Sequence, residues 1–180
     1  MQFLLQEIST ELRLGVTKKG HPFRYFSLAT IGLDNDIGLR TVVLRKVSTD
    51  LNCTFYSDSR SQKIKELNNN TAISALFLHP KKLWQITLKG KIRIETNPEV
   101  LKTYWNGIPI KSRKDYTTKL VPGTPVSDVN NLEYLEDSNY FSILHIIPDQ
   151  IELLKLQRPS HVRIRFLKIQ GGWSDTHLIP

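Results

Sequence analysis

Cysteine is nearly absent: Cys53 is the only one in 180 residues. That excludes an internal disulfide and a cysteine metal cluster. No histidine stands beside Cys53 in sequence, so it reads as a small apolar residue of a strand and not as a catalytic thiol. Long apolar runs are missing, and with them any expectation of a membrane span. The segment Met1-Gln2-Phe3-Leu4-Leu5-Gln6-Glu7 lacks a basic leader and soon meets an acid, which argues against a signal peptide and for a cytoplasmic protein. A Gly-rich phosphate loop and a G-x-S-x-G elbow are absent too, so nucleotide hydrolysis and serine esterase chemistry lose support. The five histidines, His21, His79, His145, His161 and His177, show no metal-ligand spacing, and no metal is expected.

Acids are in deficit. Against 25 Lys and Arg stand 17 Asp and Glu, a net charge of +8. Such a field attracts phosphorylated small molecules, nucleic acid or acidic lipid, although scattered bases also serve solubility. The charge comes without a recognisable base-stacking signature. A nucleic-acid-binding barrel is therefore kept only as an alternative, and nucleic acid is not an expected partner; salt-sensitive retention on nucleic acid separates the two readings. With 39% hydrophobic and 23% charged residues, the chain has the composition of a folded single domain spanning residues 1–180.

Residues 1 to about 19 carry Ile8, Leu12 and Val16 at helical spacing, and Gly20-His21-Pro22 stops the segment. Strands are expected over 23–31, 39–47 and 52–57, then a helix over 59–70 with Ser59 and Gln62 as a capping box. Further strands are expected over 72–78 and 84–95, and a helix from Pro98 to about Trp105. Residues 107–131 read as loop with room for one helical turn. Strands over 140–147, 149–156, 162–169 and 173–179 close the chain. About eight strands with local antiparallel connections favour a mainly β fold, a closed or partly closed barrel with peripheral helices, over a doubly wound sheet.

The most informative stretch is Arg40-Thr41-Val42-Val43-Leu44-Arg45 followed by Phe55-Tyr56-Ser57-Asp58-Ser59-Arg60-Ser61-Gln62-Lys63. It combines strand-end hydroxyls, arginines and a lysine in the first turn of a helix. Free N–H groups there favour an anion, and hydroxyls donate to phosphate or ribityl oxygens. A lysine in a first turn opposes the helix dipole by less than about 1 kcal/mol unless an anion is bound. Arg40 and Arg45, five residues apart, point to opposite faces of a regular strand and reach one ligand only if the strand bulges or a dimer brings in a second site. Tyr104 and Trp105 read as core.

From about residue 20 to 180, the order of elements and these motifs resemble the pyridoxamine 5'-phosphate oxidase family of FMN-binding split barrels. Beyond the stretch above, the resemblance rests on Glu66 to Asn70, Gln85 with Gly90, Gln150-Ile151-Glu152, Arg165-Phe166 and Trp173 with Leu178-Ile179-Pro180. The nearest branch is that of small members with an Asp-Ser-Arg-Ser-x-Lys signature, here Asp58 to Lys63.

The resemblance implies a homodimer with one FMN at each end of its interface. The implied cofactor residues are Arg40, Thr41, Val42, Val43, Arg45, Tyr56, Ser57, Ser61, Gln62, Lys63 and Gln85, with Arg165 from the partner subunit. Arg45 and Arg163 are the implied contacts to a phosphorylated small substrate. Where the family has Arg-Lys at the phosphate this chain has Gln62-Lys63, so affinity is lost there or recovered by Arg60. Leu154 replaces a flavin-packing Trp, and Arg163 stands where the oxidase has His. The oxidase's substrate-loop Tyr, Arg and Ser have no clean counterpart near Tyr104 to Ser112. The expected activity is that of an FMN-dependent oxidoreductase on a B6 vitamer or related amine or alcohol. A reductase or flavin carrier without that activity is the alternative.

Overall fold

The structure is a computed structural model that describes residues 2–180; Met1, included in the expected first helix, lies outside them. Helix α1 (Gln2–Thr17) packs the Ile8 and Leu12 face onto the barrel, as the four-residue spacing requires. A 3-10 turn over Pro22–Arg24 leads into β1 (Tyr25–Ile31), which forms a hairpin with β2 (Ile37–Val43). Among the described residues, no helix is long and apolar enough to cross a membrane.

The expected strand over 39–47 is broken. β2 ends at Val43, and β3 is only Lys46–Val47, paired with β4 (Cys53–Asp58). Between them the chain changes partner: the Leu44 N–H bonds the Arg24 carbonyl at 2.9 Å, and the Arg45 N–H bonds that of Thr54 at 2.8 Å. Seven strands run in the order β2-β1-β5-β6-β7-β4-β3, with two more branching from β7, so β2 and β3 end this path and Leu44-Arg45 carries the chain from one end to the other. This is the split barrel of the sequence expectation.

Helix α2 (Gln62–Asn69) follows β4, then β5 (Ala72–His79), β6 (Trp84–Ile94) and α3 (Pro98–Asn106). The capping box is not formed. Ser61, not Ser59, is the N-cap, and its hydroxyl makes no cap bond because it turns to Ser57 and Lys63. The stretch after α3 folds into α4 (Ile110–Arg113) and a 3-10 turn over Lys114–Tyr116, slightly more structure than expected.

The two strands expected over 140–156 are one, β7 (Phe141–Lys155), fifteen residues long. Its first half pairs with β4 and its second with β8 (Val162–Ile169), which forms the last hairpin with β9 (Gly172–Leu178). Pro148 does not end β7, because it sits at an irregularity opposite Gly90. A Cβ on Gly90 would lie 2.2 Å from the Ile147 carbonyl oxygen and 2.8 Å from the Pro148 Cα. Gly90→Ala must therefore push two backbones apart, at a cost of about 3 kcal/mol, measurable as a lowered urea midpoint.

Phe26, Phe55, Phe77, Leu88, Ile151 and Phe166 fill the barrel. Cys53 belongs to this core, and burial pushes its thiol up to about 12, which removes the thiolate as a nucleophile. A second cluster, Ile108, Tyr116, Phe141 and Ile143, packs outside the sheet beneath α3.

Candidate cofactor site

Three polar side chains converge where β4 meets α2. The Lys63 ammonium donates to Ser57 Oγ at 3.0 Å and Ser61 Oγ at 3.1 Å, and the two hydroxyls lie 3.0 Å apart. Both serines are buried. Lys63 thus spends its hydrogen bonds on neutral oxygens. Its pKa lies below the ordinary 10.5, first because of burial and then because of the nearby Arg40 charge. A desolvated cation in the first turn of a helix is a site that an anion completes.

This cluster lines a cavity of about 290 Å³ together with Thr41, Val42, Val43, Arg45, Tyr56 and the loop residues Asp115, Tyr116 and Pro122. Most of the sequence candidates are therefore gathered in one place. Arg45 keeps the phase of Thr41 and Val43 and stands in the cavity wall just past the change of partner at Leu44. Its guanidinium lies 5.4 Å from the centre of the Tyr56 ring, and its buried Nε has no partner. An orphaned buried N–H is costly, and a ligand acceptor would satisfy it.

Arg40 sits elsewhere. One step out of phase with Thr41 and Val43, it bonds Glu66 Oε2 at 2.6 Å through Nη2 and the Thr30 hydroxyl through Nη1. Burial alone would raise the Glu66 pKa, but hydrogen bonds from Thr30 and Arg40 outweigh it and hold the carboxyl low. Arg40 is thus neutralised within a buried pair that pins α2 to β1 and β2, and it acts on the cavity through its field. Gln62 is exposed and lines no part of the cavity. Arg60 does not supply the missing charge, since it is paired with Asp58.

Gln85, Arg163 and Arg165 lie on the outer face of the sheet. Cross-strand pairs Gln85–Leu154–Arg163 and Thr87–Glu152–Arg165 place them side by side, remote in the sheet from β4. Arg163 bonds Glu152 through Nη2 at 2.8 Å, and the buried Nε of Arg165 has no partner.

A second cavity, of about 520 Å³, shares Arg45, Tyr56 and Tyr116 with the first and adds Arg24, Tyr104, Ile108 and Ser112. Sequence reasoning missed these. Tyr104 and Trp105, both expected in the core, pack half-buried on the outer cluster, and Tyr104 also stands in the cavity wall. No local pattern links the missed residues, since Tyr104 is on α3, Ile108 follows that helix, Ser112 is on α4 and Arg24 lies in the 3-10 turn before β1. Burial raises the pKa of Tyr56 and Tyr116, so both hydroxyls stay neutral.

Glu11, His21 and His79 also come together, their ligand atoms within 4.8 Å, which sequence spacing did not reveal. Their protonation is wrong for a metal. His21 Nδ1 accepts the Phe23 N–H and His79 Nδ1 accepts the Lys82 N–H, each at 3.2 Å. The ring protons then sit on Nε2, where a metal needs a bare nitrogen backed by a donor at Nδ1. Lys82 already neutralises Glu11.

A family model for the pyridoxamine 5'-phosphate oxidase FMN-binding domain matches residues 2–96. A Caenorhabditis elegans protein bearing the provisional name pyridoxamine 5'-phosphate oxidase is 34% identical over 170 residues, 86% of this chain and 74% of that protein. Two solved structures are similar in fold at 20% identity. A pyridoxamine 5'-phosphate oxidase-related FMN-binding protein from Nostoc punctiforme has a TM-score of 0.81, with 97% of this chain and 96% of that one covered. PhzG from Burkholderia lata, in complex with tetrahydrophenazine-1-carboxylic acid, has a TM-score of 0.79, with 99% and 91% covered.

Proposed function

Because this chain belongs to the pyridoxamine 5'-phosphate oxidase family, with FMN as its cofactor, we propose that it is an oxidoreductase acting on a small substrate that carries an anionic group. The observation that carries this reading is the Lys63–Ser57–Ser61 cluster beside a second, larger cavity that shares Arg45. Lys63 and the two hydroxyls hold the cofactor phosphate. Thr41, Val42, Val43 and Tyr56 line its chain, and the neutral Tyr56 hydroxyl donates without adding charge. The chemistry supplied by the bound flavin is acceptance of a hydride equivalent from an amine or alcohol carbon, with dioxygen as reoxidant. Arg24 and Arg45 orient the substrate's anionic group in the second cavity, and Tyr104, Ile108 and Tyr116 exclude water from it.

The working unit is a homodimer. One face of the sheet carries exposed Ile37 and Leu39 on β2, Tyr25 on β1 and Leu78 on β5, beside Gln85 and Arg165. Thr41 and Val43 share that face with Leu39 and also border the Lys63 cavity. A second copy of the chain that covers these apolar residues brings its Gln85 and Arg165 toward the cavity. The open Arg165 N–H then finds an acceptor.

The purified protein is expected to be yellow and to release FMN on denaturation; colourless protein that fails to take up FMN ends the proposal. Peroxide release on mixing with pyridoxamine phosphate tests the oxidase activity. A reductase or carrier is the second reading, favoured by uncharged Ile108 in the cavity wall and by Arg163 being occupied by Glu152. Its signature is flavin reduction by a nicotinamide donor without peroxide from B6 vitamers.

FMN affinity should fall as pH rises, beginning below the ordinary lysine value of 10.5, because Lys63 must be charged and its pKa is lowered by burial and Arg40. The cofactor-free protein should gain stability over the same window, since there the unfolded chain binds more protons than the folded one. Titration of flavin fluorescence and of thermal midpoint checks both signs, and Lys63→Gln should flatten both.

A further inference from the structure

We propose that Arg60 is a positioning residue: with Asp58 it latches the strap of residues 117–135 to the barrel, so that Pro122 closes the cavity beside Lys63. The inference rests on the cofactor reading above for the cavity's content, but not for the latch itself.

Asp58 ends β4 and is buried, so its charge requires a close partner. Its Oδ1 accepts the Arg60 backbone N–H at 2.8 Å and Nε at 3.1 Å, and its Oδ2 accepts Nη2 at 2.7 Å. The same guanidinium reaches outward. Nη2 donates to the Thr118 carbonyl at 2.8 Å, Nη1 donates to the Lys119 carbonyl at 3.0 Å, and the plane lies 3.3 Å from the centre of the Tyr140 ring. A planar five-donor fork makes this geometry available, whereas a lysine has one ammonium to share.

The strap needs such a hold. It is a narrow ribbon closed on itself by the Thr118–Tyr134 bridge, the Lys119 N–H to the Glu133 carbonyl at 2.9 Å and the Leu135 N–H to the Thr117 carbonyl at 2.7 Å. Residues 119–131 are all exposed, so apolar burial does little to hold them. Arg60 grips the ribbon at Thr118 and Lys119, a few residues before Pro122 reaches the cavity wall. The Asp-Ser-Arg part of the signature then works on the wall of the cofactor site, and its lysine on the phosphate.

The test is Arg60→Met, together with the double variant Asp58→Asn, Arg60→Met, which removes both charges and avoids leaving a buried carboxylate unpaired. Cleavage within 119–131 by a protease of broad specificity is timed on the cofactor-free protein. FMN and riboflavin affinities are measured by fluorescence quenching. A latch predicts cleavage about tenfold faster, and FMN and riboflavin weakened by the same factor, about tenfold. Unchanged cleavage overturns the latch. Loss confined to FMN overturns it in favour of a direct phosphate contact, and faster cleavage with unchanged affinities removes the strap from the site. If the parent protein binds neither FMN nor riboflavin, the cofactor reading fails, and the cleavage arm still decides on the latch.

Discussion

Lys63→Ala is expected to weaken FMN binding by about 10- to 100-fold, the scale of one charge-assisted hydrogen-bonded contact, while leaving riboflavin binding nearly unchanged. The cofactor-free variant should be as stable as the parent or more so. Lys63 is desolvated, is repelled by Arg40, and makes its hydrogen bonds to neutral hydroxyls. A lysine kept for structure would show the opposite, a loss of stability on removal. Arg40→Ala provides the contrast. It strips a buried Glu66 of its cation and should cost about 3 kcal/mol or more of stability, with a smaller and indirect effect on FMN. Equal FMN affinity in the Lys63 variant and the parent would remove the site assignment.

Leu39→Asp should yield a monomer that retains no flavin after gel filtration. Leu39 is 69% exposed and its neighbour Ile37 is 76% exposed on an edge strand, an arrangement that favours a covering partner. A two-fold axis buries the new charge twice, and burying an unpaired carboxylate costs several kcal/mol, so the dimer dissociation constant should rise by about 1,000-fold or more. The flavin should follow the dimer, because Gln85 and Arg165 lie on the same outer face and away from the chain's own Lys63 cavity. A parent protein that sediments as a monomer with bound FMN would refute the shared site.

Much of the fold was readable from local pattern. The alternation through Leu88, Gly90 and Ile92 placed β6, and Pro98 marked the first turn of α3. The two errors in strand boundaries share a cause. At Leu44-Arg45 the chain changes hydrogen-bonding partner, and at Pro148 a strand continues because the opposing residue is a glycine. Both events depend on the neighbour across the sheet, which local propensity does not contain.

The candidate site divides in the same way. Ser57, Ser61 and Lys63 lie within seven residues, and the helix start alone brings them to one point, so their chemistry was evident in the chain. The fate of the arginines was not. Arg40 is spent on Glu66, Arg60 on Asp58 and Arg163 on Glu152, and only Arg45 keeps an open donor at the cavity. Composition counts charges, but pairing in space decides which remain available to a ligand. The sequence by itself determined the family and the barrel, through the order of its motifs along the chain, and it set Ser57, Ser61 and Lys63 close together, because these lie within seven residues. Tertiary structure decided which cations are free, brought Arg24, Tyr104 and Ser112 into a second cavity and gathered Ile37, Leu39, Tyr25 and Leu78 on one exposed face, because each depends on contacts between residues distant in the chain.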